Sequence, residues 1–335
     1  MLFRKFAGAV CAAAIALGAA GAAQAETVWR FGTAAQPGSV LFDVIQKFVA
    51  DFNSAFEKDE MKMEYQFIGN EQEMMQQLIR GRVHIGGTSF AGSAVAIPEN
   101  IVTTVPYLWS SDDERIFVMD NHVIPVLKDI ALAKGVVLVD WGDVGWNDVI
   151  CNFECRTPDQ VKGQKARMSP VSRNFWEAVG ANGVQMPLSE FFPGLQSGLV
   201  RAGDLPFLYY VTTPAAQSAP HYVMTRHYHH PSVWIMNKAL HDKQPAALKE
   251  RIEKAIPDVA WSRKQVADTE KPKMEEFRKK GGFVHELTAE QREAWAKVAR
   301  PGQAELITSI GGRAQELYDT LLKGKKEWAE KHEKK

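Results

Sequence analysis

Apolar and polar positions recur along the chain with two different periods, and the switches between them mark out the elements. "TVWRFGT" (27–33) is a mainly apolar run of strand length, while "SVLFDVIQKFVADFNSAF" (39–56) repeats its apolar residues every three or four positions, as a helix opened by Ser39 does. "MKMEYQF" (61–67) alternates with the period of a strand. "NEQEMMQQLIRG" (70–81) is helical again, with Asn70 and Glu73 as a capping box and Gly81 at its end. "RVHIGGTSF" (82–90) returns to strand, and the order β-α-β-α-β predicts a parallel sheet covered by helices.

"SDDERIFVMDNHVIPVLKDIALAKG" (111–135) reads as helix behind a capping box at Ser111 and Glu114, and "VVLVDWG" (136–142) as the next strand. Beyond "CNFEC" (151–155) the pattern restarts: a short capped turn, then strand "QKARM", helix "SRNFWEAVG", strand "GVQMP", helix "LSEFFPGLQSG" and strand "LVRAGD". Two βα layers joined near residue 150 predict two similar α/β lobes. From Gln244 to about Lys280 the chain reads as one long helical run, with kinks or breaks expected at Pro257 and Pro272. A run of this length is too long for one small lobe.

The first 25 residues have a different character: a basic Arg4-Lys5, an apolar stretch, and the small-x-small sequence Ala23-Gln24-Ala25. That is an export signal cleaved after Ala25. Cys11 as a lipidation site is the competing reading, but it lies close to the start and Val10 precedes it where a small residue is wanted. No later stretch holds the roughly 18–20 apolar residues a membrane span needs, so an exported, soluble protein is expected. With 40 acidic and 40 basic side chains in all, the charge balance argues against a nucleic-acid partner.

Two cysteines remain after export, Cys151 and Cys155. On one straight strand they would stand roughly 13 Å apart, so a disulfide between them requires a turn at Asn152–Glu154. A zinc or redox role is the minority alternative, because no second cysteine pair exists. Catalytic signatures are scarce, with no GxSxG, HExxH, P-loop or strand-linked GxGxxG. His227 and His229 would share a strand face at ligand-like spacing, but no carboxylate or thiolate nearby in sequence completes a metal set, so neither metal nor cofactor is expected. Trp146, among nine tryptophans, lies where two lobes would meet and is a candidate cleft residue.

Arg167 ends a short strand just before Ser169-Pro170. A strand end of an α/β sheet faces the crevice where ligands bind, and a guanidinium fork matches a carboxylate with two charge-assisted hydrogen bonds. The residues "TPDQVKGQKARMSP" and "VGANGVQMPLSEFFPGLQSGLV" resemble the central signature of the DctP-type substrate-binding proteins of TRAP transporters, tripartite ATP-independent periplasmic carriers. "NEQEMMQQLIRGRVHIG" and "VPYLWSSDDER" add to the resemblance, which runs from about Trp29 to the end of the long helix.

The resemblance implies a periplasmic-binding-protein-like α/β fold of two lobes, each a sheet covered by helices, with a long helix crossing both. The expected division is residues 26–149 with about 232–262, and 150–231 with about 263–335. It also implies that Arg167 grips a substrate carboxylate. Other positions depart from the family: Asn147 stands where a second arginine is common, Ser89 replaces an acidic residue, Leu205 an asparagine and Leu188 an aromatic, while Arg201 replaces an aspartate. Gln36, Phe90 and Phe207 complete the expected pocket. The departures remove charge and favour a monocarboxylate with an apolar or aromatic body over a dicarboxylate. The expected function is a periplasmic receptor that passes an organic acid to a TRAP membrane permease without catalysis. Alternatives are a receptor that presents its ligand to a sensor kinase, or an exported metal-dependent hydrolase or lyase.

Overall fold

The computed structural model describes residues 27–57, 61–256 and 259–332. The export signal and its cleavage point lie outside the described residues, as does Pro257.

Among the described residues nine strands form one mixed sheet: β1 Thr27–Thr33, β2 Met61–Phe67, β3 Ile85–Ser89, β4 Val136–Cys151, β5 Lys165–Met168, β6 Asn182–Gln185, β7 Ala202–Pro206, β8 His221–Asn237 and β9 Phe283–His285. Eight lie in the order β2-β1-β3-β8-β4-β7-β5-β6, and β9 pairs with β8. The parallel pairing expected at the N-terminus is present, with β1 between β2 and β3. β5 is likewise parallel to β6 and β7.

The fold is a two-lobed α/β fold whose lobes share their central strands. β3 pairs with the Ser232–Met236 end of β8, whereas β7 pairs with the Asn147–Cys151 end of β4. β4 and β8 run antiparallel through both lobes, with register shifts that include one between Asp143 and Trp146. The sequence had suggested that the strand beginning at Val136 stops at Gly142 and that the lobes join near residue 150. Instead the strand continues to Cys151, and the irregularity falls at 143–146. The glycines and polar residues of "WGDVGWND" read as a break, but hydrogen bonding to a long partner strand carries the extended backbone through them.

Each lobe buries a core on both faces of its part of the sheet. Helix α1 (Val40–Phe56) is capped by the Ser39 hydroxyl, which accepts from Phe42 N at 3.2 Å. Its residues Phe48, Phe52 and Phe56 form one buried stripe against β1 and β2, each contributing about 1.5–3 kcal/mol by burial. The expected helix from Ser111 is divided into Asp112–Val118, a wide turn at Met119–Val123, and Ile124–Ala133, a break that accommodates Pro125 and its missing N–H.

The long C-terminal run is two helices, Ala246–Ala255 and Val259–Lys279, and Pro272 sits inside the second without ending it. This second helix crosses between lobes: Trp261 packs on the core of β1–β3, and Val266 and Met274 belong to the core of β7. The last helices differ from expectation. Leu306, Ile307, Leu317 and Leu321 join Val118, Leu127 and Leu138 in a core of the first lobe, so the segment from 303 to 332 does not belong with the second. Its amphipathic pattern fixed which face is buried, not against which lobe.

Cys151 and Cys155 are joined, with Cα atoms 6.5 Å apart, because the chain bends immediately after β4 ends at Cys151.

Candidate ligand cleft

Between the lobes lies a cavity of about 110 Å³. The first lobe contributes mainly apolar wall, including Ala34, Leu41, Val44 and Ile45, and the second contributes Arg167, Leu188, Asp204, Leu205 and Tyr209. The crossing strands add Asn147, Tyr228 and His230.

Arg167 is 7% exposed. Its Nε donates to the Met186 carbonyl at 3.3 Å, and its guanidinium lies 5.5 Å from the centre of the Phe191 ring. That ring fits only because residue 203 is glycine, where a Cβ would approach Phe191 Cζ to 2.3 Å. The Met186 carbonyl just after β6 and the Phe191 ring thus hold the guanidinium, yet among the described residues it forms no ion pair. Such a buried cation is costly unless a partner arrives.

The acidic groups of the cavity, by contrast, have internal donors. Glu71, first residue of helix α2 (Glu71–Ile79), accepts from Ser89 N at 2.7 Å, Ser89 Oγ at 2.6 Å and Thr88 Oγ1 at 3.1 Å. Gly92 leaves room for it, since a Cβ there would come within 2.5 Å of Glu71 Cβ. Asp204 accepts from Trp176 Nε1 at 2.7 Å, from the Tyr228 hydroxyl at 2.8 Å and from Asn147 Nδ2.

Where the strands cross between lobes, Asp143 accepts from Arg115 Nη2 at 2.7 Å, His229 Nε2 at 2.5 Å and Gly145 N at 2.9 Å. Burial alone would raise the Asp143 carboxyl. The interactions with His229 and Arg115 outweigh it and hold the group well below the usual carboxylate range. Deeper in β4, burial pushes Asp148 up to about 7 despite hydrogen bonds from Arg226 N and the Tyr222 hydroxyl.

Of the residues expected in the pocket, Arg167, Asn147, Ser89, Leu188 and Leu205 line the cavity. Gln36 does not line it, but lies beside Tyr209, which does. Three others do not reach it. Phe90 is fully buried in the core of the first lobe, Phe207 packs edge-on to Tyr222 in the second, and Trp146 packs behind the strand, edge-on to His229. Glu71, Asp204 and Tyr209 were not anticipated, whereas His230 belongs to the histidine run for which a cleft-lining place is an expected alternative to a metal site.

The side chains of His227 and His229 are engaged by other groups. His227 is fully buried, stacked on Phe175 and bonded through Nδ1 to Thr225, while His229 is taken by Asp143. Burial lowers His227 and His230 to about 4. Among the described residues no group of three or more His, Cys, Asp or Glu side chains could hold a metal ion, and no helix is long and apolar enough to cross a membrane.

The chain is 26% identical over 314 residues to the ectoine/5-hydroxyectoine-binding periplasmic protein UehA of Ruegeria pomeroyi, covering 91% of this chain and 92% of that one. It is 27% identical over 246 residues to the C4-dicarboxylate-binding periplasmic protein DctP of Rhodobacter capsulatus, covering 72% and 74% respectively. Among solved structures, the galactonate complex of the sugar acid binding protein DctPAm from Advenella mimigardefordensis superposes with a TM-score of 0.84 at 23% identity, covering 90% of this chain and 99% of that one. A succinate-bound TRAP solute binding protein from Sulfurospirillum deleyianum gives 0.81 at 22% identity, covering 89% and 99%. The model of the DctP family, bacterial extracellular solute-binding protein family 7, matches residues 31–309, and the chain belongs to that family of TRAP periplasmic solute-binding proteins.

Proposed function

We propose that this protein is exported with cleavage after Ala25, closes its two lobes around a monocarboxylate, and delivers it to a TRAP membrane permease. The observation that carries the reading is Arg167, a buried guanidinium without an ion pair among the described residues, at the wall of the interlobe cavity. A ligand carboxylate supplies the missing charge through the guanidinium fork. A second ligand carboxylate would meet Glu71 or Asp204 instead of a cation, which favours one acid group over two. The apolar wall from Ala34 to Ile45 suits a ligand with an apolar body. Closure is expected to bend the crossing strands near Asp143–Trp146, where their register already shifts.

The test is calorimetry with whichever acid most raises the melting temperature in a panel of sugar acids, dicarboxylates and 2-substituted monocarboxylates. Arg167→Ala should weaken binding by roughly 2–5 kcal/mol, about thirty-fold to several thousand-fold. Arg167→Lys should restore only part, since an ammonium lacks the fork. Arg201, exposed and bonded to Asn152 and Gln164, should tolerate the same changes. A loss below about 0.5 kcal/mol for Arg167→Ala would return this arginine to a structural role.

A further inference from the structure

We infer that Asn147 reads a hydrogen-bond donor on the ligand, so that the acid held by this cleft carries a hydroxyl or amine within a few bonds of its carboxylate. The inference rests on the proposed role of the cavity as an acid site, and sharpens it.

The amide of Asn147 has only one orientation open to it. Its nitrogen contacts both Asp204 Oδ2 and the Tyr228 hydroxyl. A carboxylate oxygen only accepts, and Tyr228 spends its own hydrogen on the same Asp204 oxygen at 2.8 Å, so the hydroxyl faces Asn147 with a lone pair. Both amide hydrogens are therefore used. Turning the amide over would set its oxygen against two acceptors. Oδ1 is thus the atom left over, and it is buried with no partner among the described residues, on a side chain that is 2% exposed and lines the cavity.

A buried acceptor with no partner costs free energy that a ligand donor recovers, whereas a ligand acceptor placed there adds repulsion. The position is close enough to Arg167 for one small molecule to engage both. Asn147 on β4 pairs with Pro206 of β7, and Arg167 on β5 is one residue beyond the pair Ala166–Ala202, which places the backbones roughly 14 Å apart with both side chains lining the same cavity. His230 adds a second buried atom without a partner among the described residues, Nδ1, in the same wall. A site built around such atoms rejects analogues that lack the matching hydrogen, because its own groups are then left unpaired.

The test uses three sets of acids that differ at one position: lactate, pyruvate and propionate; 2-hydroxy-4-methylpentanoate, its 2-oxo counterpart and 4-methylpentanoate; mandelate, phenylglyoxylate and phenylacetate. Binding to the mature protein is measured by calorimetry, with both enantiomers of each hydroxy acid. In at least one set the hydroxy acid should bind, and in every set that binds it should be tighter than its oxo and unsubstituted partners by roughly ten- to hundredfold. Asn147→Leu, of similar size but without the acceptor, should reduce that ratio to near one even where it also lowers stability. A purely structural Asn147 would lower stability and leave the ratio unchanged. Equal binding across each set, or no binding by any of the hydroxy acids, overturns the inference. Arg167→Ala separates the two readings: if it abolishes binding while hydroxy and oxo acids bind the unaltered protein alike, the donor rule fails and the acid site stands. If it leaves binding intact, the acid site itself fails.

Discussion

Replacing Asp143 by Asn should destabilise the fold through the charge it removes rather than the hydrogen bonds. Asn is nearly the same size, and its carbonyl can still accept from Arg115 while its amide faces His229, whose ring can present a lone pair after a tautomer change. The guanidinium of Arg115, with its side chain only 3% exposed, would then keep one carboxylate, that of Asp112 at 3.0 Å, which is 57% exposed. Breaking a buried pair by removing one partner costs about 3–5 kcal/mol, and the remaining exposed partner offsets part of it, so about 2–4 kcal/mol is expected. With an unfolding entropy of about 2.1 cal/mol/K per residue, a chain of this length should melt about 3–6 °C lower. Asp112→Asn, which removes only the exposed partner, should cost under about 1 kcal/mol. Because the Asp143 carboxyl is held below its unfolded value, its contribution is present above about pH 4 and fades as the pH falls further. Urea or thermal unfolding of both variants, repeated between neutral and acidic pH, measures this. Equal losses for the two variants, or a loss below about 1 kcal/mol for Asp143→Asn, would refute the argument that the crossing point depends on this buried charge pair.

Asp148, pushed up to about 7 by burial, has the opposite sign. The folded state holds its proton more tightly than the unfolded chain, so this stabilisation is complete below about pH 4 and is lost as the pH rises through 7. Asp148→Asn should therefore gain on the unaltered protein between those limits, by an amount on the order of 4 kcal/mol at pH 8, in unfolding measured across that range; a difference independent of pH would contradict it. The histidines lowered by burial, His227 and His230 among them, act in the other direction in both proteins and cancel in the comparison. Cys151 and Cys155 should give no reactive thiol when the denatured, unreduced protein is labelled, and replacing both by Ser should cost about 2 kcal/mol for so short a loop. Two labelled thiols per chain would contradict the first expectation.

The parts of the fold legible in the sequence are those whose signals are local. The caps at Ser39 and Asn70 and the alternation of "MKMEYQF" each depend on residues within one element, and each is found where expected. The length of β4 and β8 was not legible, because what carries them through Asp143–Trp146 is pairing between positions about 90 residues apart in sequence. The helices after Gln303 were placed on the wrong lobe for a related reason: an apolar stripe states that a face is buried and is silent about its partner.

Within the cleft two of the three misplaced residues are sequence neighbours of residues that do line it. Two adjacent pairs, Ser89-Phe90 and Trp146-Asn147, were both assigned to the pocket, yet successive residues of β4 point to opposite faces, and Phe90 opens the helical turn Phe90–Ser93 that follows β3. Ser89 and Asn147 line the cavity and their neighbours enter the cores behind it. The period-two rule could have excluded one of Trp146 and Asn147. Glu71 carried no such signal, since it reaches the cavity from a helix cap by way of a contact with Ser89.

The central claim is that the cleft holds an organic acid through Arg167, and native mass spectrometry tests it most directly. The mature protein and its Arg167→Ala variant would be purified from the periplasm without unfolding and sprayed intact. The unaltered protein should carry a small acid that is released on collisional activation and identified by its mass, and the variant should be empty. A variant that retains the same acid at the same occupancy, or an unaltered protein that is empty and takes up no acid on addition of the panel, would contradict the account.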